Sequence, residues 1–330
     1  MTKIAVIIPY FQRTAGLLRR AVASILAQEG LVGAAVSIII VDDESPSAPE
    51  GEVNDLARDG FSIRIVKQRN GGPAKARNAG LAASAGVDAV AFLDSDDWWA
   101  PGHLSTGLAG LRGGADFYFA NNFVEEGATW FDTLACRAAL LASAVREEGV
   151  MRIARADLMA LFLKEYIAHT STVIFNARAL GDLRFDETQA TAGEDYLFWL
   201  TATDRSDFIA FSETPMAFRG RGLDLYRSAY DWSSPECVRR LYFNLSLHKK
   251  LLARFCRTPA ERADMRRRIN LIRREILYLF VRNARAHVRT NAWVLARLAM
   301  HDGGFWWALP YNAVQNAREK LSGKLAFEAG

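Results

Sequence analysis

Cysteine is scarce. Cys136, Cys237 and Cys256 are the only three among 330 residues. An odd number at these spacings builds neither a disulfide framework nor a zinc site, so a reducing compartment is the expectation. No apolar run approaches the roughly 20 residues that cross a bilayer. The first apolar run, after Met1-Thr2-Lys3, meets Pro9 within a few residues, too soon for a secretory signal. Internal repeats, low-complexity segments, a P-loop and a dinucleotide fingerprint are also missing. These absences exclude a disulfide-stapled scaffold, a membrane-spanning protein and a disordered or fibrous chain. What remains is a cytoplasmic protein, free or resting on a membrane surface. Half of the residues (50%) are apolar, enough for the core of one large or two moderate domains.

Acidic charge is scarce in one part only. Residues 236–330 carry 19 Lys and Arg against 7 Asp and Glu, whereas residues 1–235 carry 22 against 30. The net charge of +4 therefore hides an acidic body and a basic tail. Such a tail suits phosphates, nucleic acid or an anionic membrane, or is a set of solvated helix faces.

The first hundred residues alternate strand and helix signals. Ile4–Ile8 is a continuous apolar run and reads as a strand buried on both faces; Val36–Val41 reads as a second buried strand, Ile63–Val66 as a third, shorter one and Val87–Leu93 as a fourth. Between them lie a helix that Thr14 can cap, with Leu18, Val22, Ile25 and Leu26 on one face, and a helix opened by Gly71-Gly72-Pro73. This alternation predicts a parallel sheet with helices on both faces, whose ligand lies beyond the carboxyl ends of the strands. Three polar segments fall at those ends: Pro9-Tyr10-Phe11, Asp42-Asp43-Glu44-Ser45 and Asp94-Ser95-Asp96-Asp97. Further strands are expected at 117–120, 171–175 and 208–211, and a helix starts near Glu194. After Pro235 the chain turns helical, with Ile269, Ile272, Ile276 and Leu279 spaced by three and four.

The acidic cluster carries the chemistry. Three carboxylates within four residues repel one another unless a cation neutralises them. Oxygen ligands select a hard ion such as Mg²⁺ or Mn²⁺. Few protein ligands leave positions open for a diphosphate, whose departing charge the ion would stabilise. The alternative is an acidic loop capping the next helix. Gly71 to Gly80, with Lys75 and Arg77, suits an anion at a helix start or is a tight turn with a solvated face. Glu194-Asp195 is either a carboxylate pair suited to proton abstraction or ordinary acidic decoration of a helix start.

Four segments in order, Val6 to Phe11, Val41 to Ser45, Gly72-Pro73 with Ala76-Arg77-Asn78, and Phe92 to Trp98, resemble glycosyltransferase family 2. The likeness is close over about residues 3–100 and looser to about 220. It implies an α/β GT-A fold: a Rossmann-like, mostly parallel mixed sheet flanked by helices, here with a C-terminal helical extension. Residues 1–220 would form the nucleotide-sugar transferase domain and 221–330 a basic, mainly helical region. The family's activity is inverting, metal-dependent transfer from a nucleotide-diphosphate sugar.

The resemblance assigns roles by position. Pro9 and Phe11 would lie on the donor side, Phe11 against the base. Asp43 would bond base or ribose, and Arg77 would fix the nucleotide or the acidic loop. Asp94 and Asp96 match the Asp-x-Asp element, with Ser95 between them on the donor side. Asp96 is the first metal ligand for Mn²⁺ or Mg²⁺, Asp94 supports it, and Asp97 shares the task or does not. Asp195 matches the general base, and Glu194 supports it. Arg219 and Arg221, flanked by glycines, would close over a diphosphate. His169 and Trp98 face the acceptor or are structural.

The expected partners are a UDP-sugar donor, with glucose first, and a glycan or polyprenyl-linked oligosaccharide acceptor in exopolysaccharide assembly. The tail, with Trp293, Trp306 and Trp307, would meet an anionic membrane surface, and no nucleic-acid module is visible. The competing readings are a non-catalytic nucleotide or glycan-binding module and a metal-dependent nucleotidyltransferase.

Overall fold

The apolar runs of the first hundred residues become four strands: β1 (Thr2–Tyr10), β2 (Ala34–Asp42), β3 (Phe61–Lys67) and β4 (Ala89–Phe92). The computed structural model describes the chain except positions 126, 148, 191, 221–228, 230, 233, 286–291 and 322–330. The four strands lie in the order β3-β2-β1-β4 and all are parallel. β1 is central, and Ile4 to Ile8 are buried. Ile4, Val6 and Ile8 join Leu18, Ala21, Val22 and Ile25 of the helix Leu17–Leu26 in one apolar cluster. Ile7 instead meets the helix Pro73–Ala83, whose Gly80 comes so close that an added Cβ would lie 2.3 Å from Ile7 Cγ2. The helix packs this tightly because position 80 has no side chain.

Seven further strands complete the sheet: β5 (Trp98–Trp99), β6 (Phe117–Glu125), β7 (Ala128–Thr129), β8 (Ala144–Glu147), β9 (Val150–Ala154), β10 (Ile174–Asn176) and β11 (Phe208–Phe218). The order continues β4-β10-β6-β11-β9-β8, with β5 on β11 and β7 on β6. β10 is antiparallel to both β4 and β6, and β6 is parallel to β11. The parallel arrangement predicted for the first hundred residues thus gives way to a mixed sheet beyond β4. The carboxyl ends of β1, β2, β4, β6 and β11 consequently share one edge, the edge that carries the polar segments.

Two local expectations change. The helix Leu17–Leu26 starts after Gly16, which is left-handed at φ 103°, and Thr14 does not cap it. Its free amides are met from a distance: Gly16 N–H and Arg19 N–H donate to Glu52 Oε2 at 2.8 and 3.1 Å. Glu52 is buried, and Tyr10 O–H donates to its other oxygen at 3.1 Å. A carboxylate suits this position because the helix N-terminus carries partial positive charge. The strand expected over 171–175 begins only at Ile174, because Thr170–Thr172 forms a 3₁₀ turn.

The chain divides into two compact units, Met1–Thr188 with Glu194–Leu223 and Gln189–Gly193 with Asp224–Gly330. The second is helical: Pro235–Arg254, Pro259–Arg285, Ala292–His301 and Gly303–Leu321. Ile269, Ile272, Ile276 and Leu279 are all buried, as their spacing predicts. Thr258 and Glu261 cap the second helix reciprocally, Glu261 N–H to Thr258 Oγ1 at 3.2 Å and Thr258 N–H to Glu261 Oε2 at 2.9 Å. Among the described residues, no helix is long and apolar enough to cross a membrane.

Candidate active site

The loops after β1, β2 and β4 are stitched together by side chains. Asp42 Oδ1 accepts from Ser45 N–H at 2.9 Å, which forms a turn. Ser45 Oγ then accepts from Gln12 N–H at 2.7 Å and donates to Gln12 carbonyl at 2.9 Å. Gln12 Nε2 donates to Ser95 Oγ at 3.0 Å, and both residues are buried. Ser95 is therefore a fastening point between the first strand and the acidic loop.

Asp43 is nearly used up. Its Oδ1 accepts from Gly71 N–H and Gln68 Nε2 at 2.8 and 2.7 Å, and Oδ2 from Gly72 N–H at 2.8 Å. Three of about four carboxylate acceptor sites are filled. Asp43 thus fixes the glycine loop ahead of the helix Pro73–Ala83 and keeps room for about one further donor. Pro9 and Phe11 are half-buried at the same edge. Phe11 has no aromatic partner among the described residues, so its ring is not already stacked.

Arg77 is the electrostatic centre. It is buried, and it donates to Asp94 Oδ1 at 2.9 Å and to Glu194 Oε1 at 3.1 Å. Burial opposes its charge, but Asp94, Glu194 and Asp195 more than offset this and raise its pKa. Glu194 is pushed up to about 7 by burial and by Asp195, against the lowering effect of Arg77. One guanidinium thus joins the acidic loop to the start of the helix Glu194–Arg205.

The acidic loop is not uniform. Asp97 is buried; its Oδ2 accepts from Ser171 Oγ at 2.5 Å and its Oδ1 from Gly220 N–H at 2.8 Å. Ser171 Oγ also accepts from Asp94 N–H at 3.0 Å, and its carbonyl accepts from Trp99 Nε1 at 2.6 Å. The Asp96 carboxylate takes no hydrogen bond from another residue among those described. Burial and the neighbouring Asp97 and Asp94 raise its pKa, and burial with Asp94 raises that of Asp97. Arg20 Nη2 donates to Asp96 carbonyl at 2.8 Å while its guanidinium lies 3.8 Å from the Trp98 ring centroid. Trp98 also stacks on Phe218 at 5.3 Å. Its ring surface is thus already engaged.

Asp195 stands at the first turn of its helix, where the backbone favours a negative charge. Its Oδ2 accepts from Tyr166 O–H at 2.5 Å and from Thr170 Oγ1 at 3.4 Å, and its Oδ1 from Tyr196 N–H at 2.7 Å. His169 completes this side. Its Nδ1 is buried without a hydrogen bond, 3.8 Å from Asp97 Oδ2. Burial lowers the His169 pKa although Asp94, Asp195 and Asp96 oppose this. Arg219 is exposed after β11, near enough to Asp97 and His169 to influence both. Arg221 lies outside the described residues.

The segment 169–173, expected as an acceptor-side strand, holds the 3₁₀ turn Thr170–Thr172, and the contacts of its hydroxyls were not foreseen. Through Thr170 it touches the Asp195 carboxylate and through Ser171 it holds Asp97 and Asp94. Its one local signal is three consecutive buried hydroxyl residues just before an apolar strand. Tyr166 and Arg20 had no comparable signal.

The donor set suits a hard divalent cation. The carboxylates resist ionising together, and among the described residues the Asp96 carboxylate and His169 Nδ1 have no hydrogen bond from another residue. Among the described residues no three acidic, His or Cys groups already close on one point. The described residues alone therefore form no finished metal cage.

Gly220 packs directly on this loop, and a Cβ there would lie 1.8 Å from Asp96 carbonyl oxygen. The obstacle is backbone, so Gly220→Ala must displace the acidic loop or the strand end. We expect kcat to fall about 10²-fold, the scale of a misplacement near 1 Å. Steady-state kinetics beside a thermal melt checks this; unaltered kcat in a folded variant refutes it.

A mixed α/β sheet whose carboxyl edge gathers an acidic loop, a carboxylate at a helix start and a bridging arginine is the arrangement expected of a GT-A glycosyltransferase. The Glycosyl transferase family 2 model matches residues 5–183, and the chain belongs to that family. It is similar to Succinoglycan biosynthesis protein ExoW of Rhizobium meliloti (strain 1021), 30% identical over 313 residues, 92% of this chain and 95% of that protein. In fold it resembles S. aureus TarS 1-349 in complex with UDP-GlcNAc, with TM-score 0.56 and 17% identity over 86% of this chain and 72% of that one. Mannosyltransferase PcManGT from Pyrobaculum calidifontis, in complex with GDP-Man and Mn²⁺, gives TM-score 0.53 and 15% identity over 98% of this chain and 84% of that one.

Proposed function

We propose that this glycosyltransferase moves a hexose, glucose first among the donors to test, from a UDP-sugar to a hydroxyl of a polyprenyl-linked glycan during exopolysaccharide assembly. The observation that carries the reading is the single turn Thr170–Thr172, which touches both the Asp195 carboxylate and the acidic loop. Group transfer needs these two parts at a fixed separation, and a vestigial binding module does not. The exopolysaccharide context rests on the likeness to ExoW over most of both chains. The nucleotide-sugar donor is supported by the UDP-GlcNAc and GDP-Man held by proteins of similar fold.

Residues 1–220 carry the transferase in this reading, and residues 221–330 form its basic helical extension. Phe11, beside Pro9, lies against the base, and Asp43 uses its remaining acceptor site on the base or ribose. Asp96 is the first metal ligand, with Asp94 and Asp97 supporting; Mn²⁺ or Mg²⁺ held there supplies positive charge beside the leaving diphosphate. Arg77 and Ser95 keep the acidic loop in place, and Arg219, just after β11, serves the diphosphate, a role that Arg221 shares by its place in the sequence. Asp195 accepts the proton of the acceptor hydroxyl while that oxygen bonds to C1 of the sugar. The C1–O bond to UDP breaks, its electron pair leaves with UDP, and the anomeric configuration inverts. Glu194 positions Asp195, and His169 borders the acceptor, where Trp98 is a weaker contact because its ring is engaged. The protein works on the cytoplasmic side, at an anionic membrane that presents the acceptor.

The purified protein should release UDP from UDP-glucose or another UDP-hexose when given a lipid-linked oligosaccharide. EDTA should abolish the release and Mn²⁺ or Mg²⁺ restore it. Pyrophosphate formed from a nucleoside triphosphate would assign nucleotidyl transfer instead. Nucleotide binding without turnover across a screen of donors and acceptors would leave a binding module.

A further inference from the structure

The helix Gly303–Leu321 is built inside out. Its inward side buries Asn312 and Asn316 beside Phe305. Its outward side presents Trp306, Trp307, Pro310, Tyr311 and Val314, all exposed. Trp307, at 89% exposure, with Tyr311 and Val314 follows a spacing of four and three, so these three form one stripe. A helix facing only water shows the opposite distribution, with polar residues outward.

The preceding helix Ala292–His301 continues the pattern. It exposes Trp293 and Met300, and Arg297 lies 5.2 Å from the Trp293 ring. The only acidic residues from 292 to 319 are Asp302 and Glu319. Asp302 is buried under Arg273 and Lys249, and Glu319 is held by Arg274 at 2.5 Å. Neither offers an uncompensated negative charge. The charged residues left outward are cationic: Arg297 and Arg318.

We infer that these two helices lie on an anionic lipid surface, with the Trp307–Tyr311–Val314 stripe inserted at the headgroup level. Trp and Tyr favour that depth because each ring has an apolar body and a polar tip. Outward arginines without outward carboxylates complement anionic headgroups. Neither helix can span the membrane, so contact is lateral, through one face. The inference deepens the membrane-side reading above and reassigns its source. Four of the five arginines between 266 and 274 (Arg267, Arg268, Arg273 and Arg274) are paired with Asp264, Asp302 and Glu319, so the aromatic face makes the main contact.

The test uses the full chain with vesicles of phosphatidylglycerol and phosphatidylethanolamine, and with phosphatidylcholine vesicles as control. Wild type should sediment with the anionic vesicles. Trp307→Glu with Tyr311→Glu should weaken this roughly tenfold or more, since charge is costly at that depth. Trp307→Phe should bind almost as wild type does. UDP release with detergent-dispersed acceptor should be equal in all three, which separates docking from catalysis. Equal vesicle binding by the double variant, or no binding by wild type, overturns the inference while leaving the transferase reading intact. A dimer that the double variant dissociates would assign the stripe to a second copy and equally overturn it.

Discussion

Asp195→Asn is expected to lower kcat by about 10²–10⁴, the usual contribution of a positioned general base. The amide keeps the size of the carboxylate, and its oxygen can still accept from Tyr166 or from Tyr196 N–H. It cannot hold the acceptor proton. KM for the donor should therefore stay within a few-fold while kcat collapses, the signature of an interaction made only in the transition state. Asp195→Ala should do similar damage to kcat and also release Tyr166, whose hydroxyl would lose its carboxylate partner. The asparagine variant is thus the cleaner probe. Stopped acceptor titrations with radiolabelled donor would measure both constants. Equal loss in kcat and donor affinity would move Asp195 out of the base role and into donor binding.

The arrangement around Asp195 also shows what could be read from the chain alone. β1, β2 and β4 were legible because each is a mostly apolar run ending abruptly in polar residues. That contrast follows from burial on both faces and needs no partner to be known. Asp43, Asp94 to Asp97 and Glu194-Asp195 were legible because they are acidic residues placed where an apolar strand ends or a helix begins. The binding of these parts to one another was not. Ser171 meets Asp97 across 74 residues, Arg20 meets the Asp96 carbonyl across 76, and Gly220 meets Asp97 across 123. No local pattern encodes such pairings, since a serine in a loop or an arginine on a helix looks like ordinary surface. The turn at Thr170–Thr172 replaced an expected strand start because its hydroxyls serve the carboxylates. The cap of the first helix failed for a related reason, since Glu52 reaches it from another element 33 and 36 residues on.

Arg77 is the position where these distant pairings carry the greatest structural cost. Arg77→Met keeps most of the volume and removes the charge. Glu194 and Asp94 then lose their shared cation inside the protein. Breaking one partner of a buried pair typically costs about 3–5 kcal/mol, a large part of the stability of an ordinary domain. The loss should depend on pH in a defined sense. Glu194 is already raised to about 7 by burial and Asp195, and removing Arg77 raises it further. A carboxyl whose folded pKa exceeds its unfolded value stabilises the fold while protonated, and that contribution fades as pH climbs from the unfolded value through the folded one. Arg77→Met should therefore lie closer to wild type at pH 5 than at pH 8 in urea unfolding. Turnover should fall as well, because Asp94 and Glu194 lose the group that aligns them. Arg77→Lys restores charge but not the two-armed geometry, and should recover stability more than activity. A pH-independent gap between wild type and Arg77→Met would mean that lost packing, and not the stranded carboxylates, sets the cost.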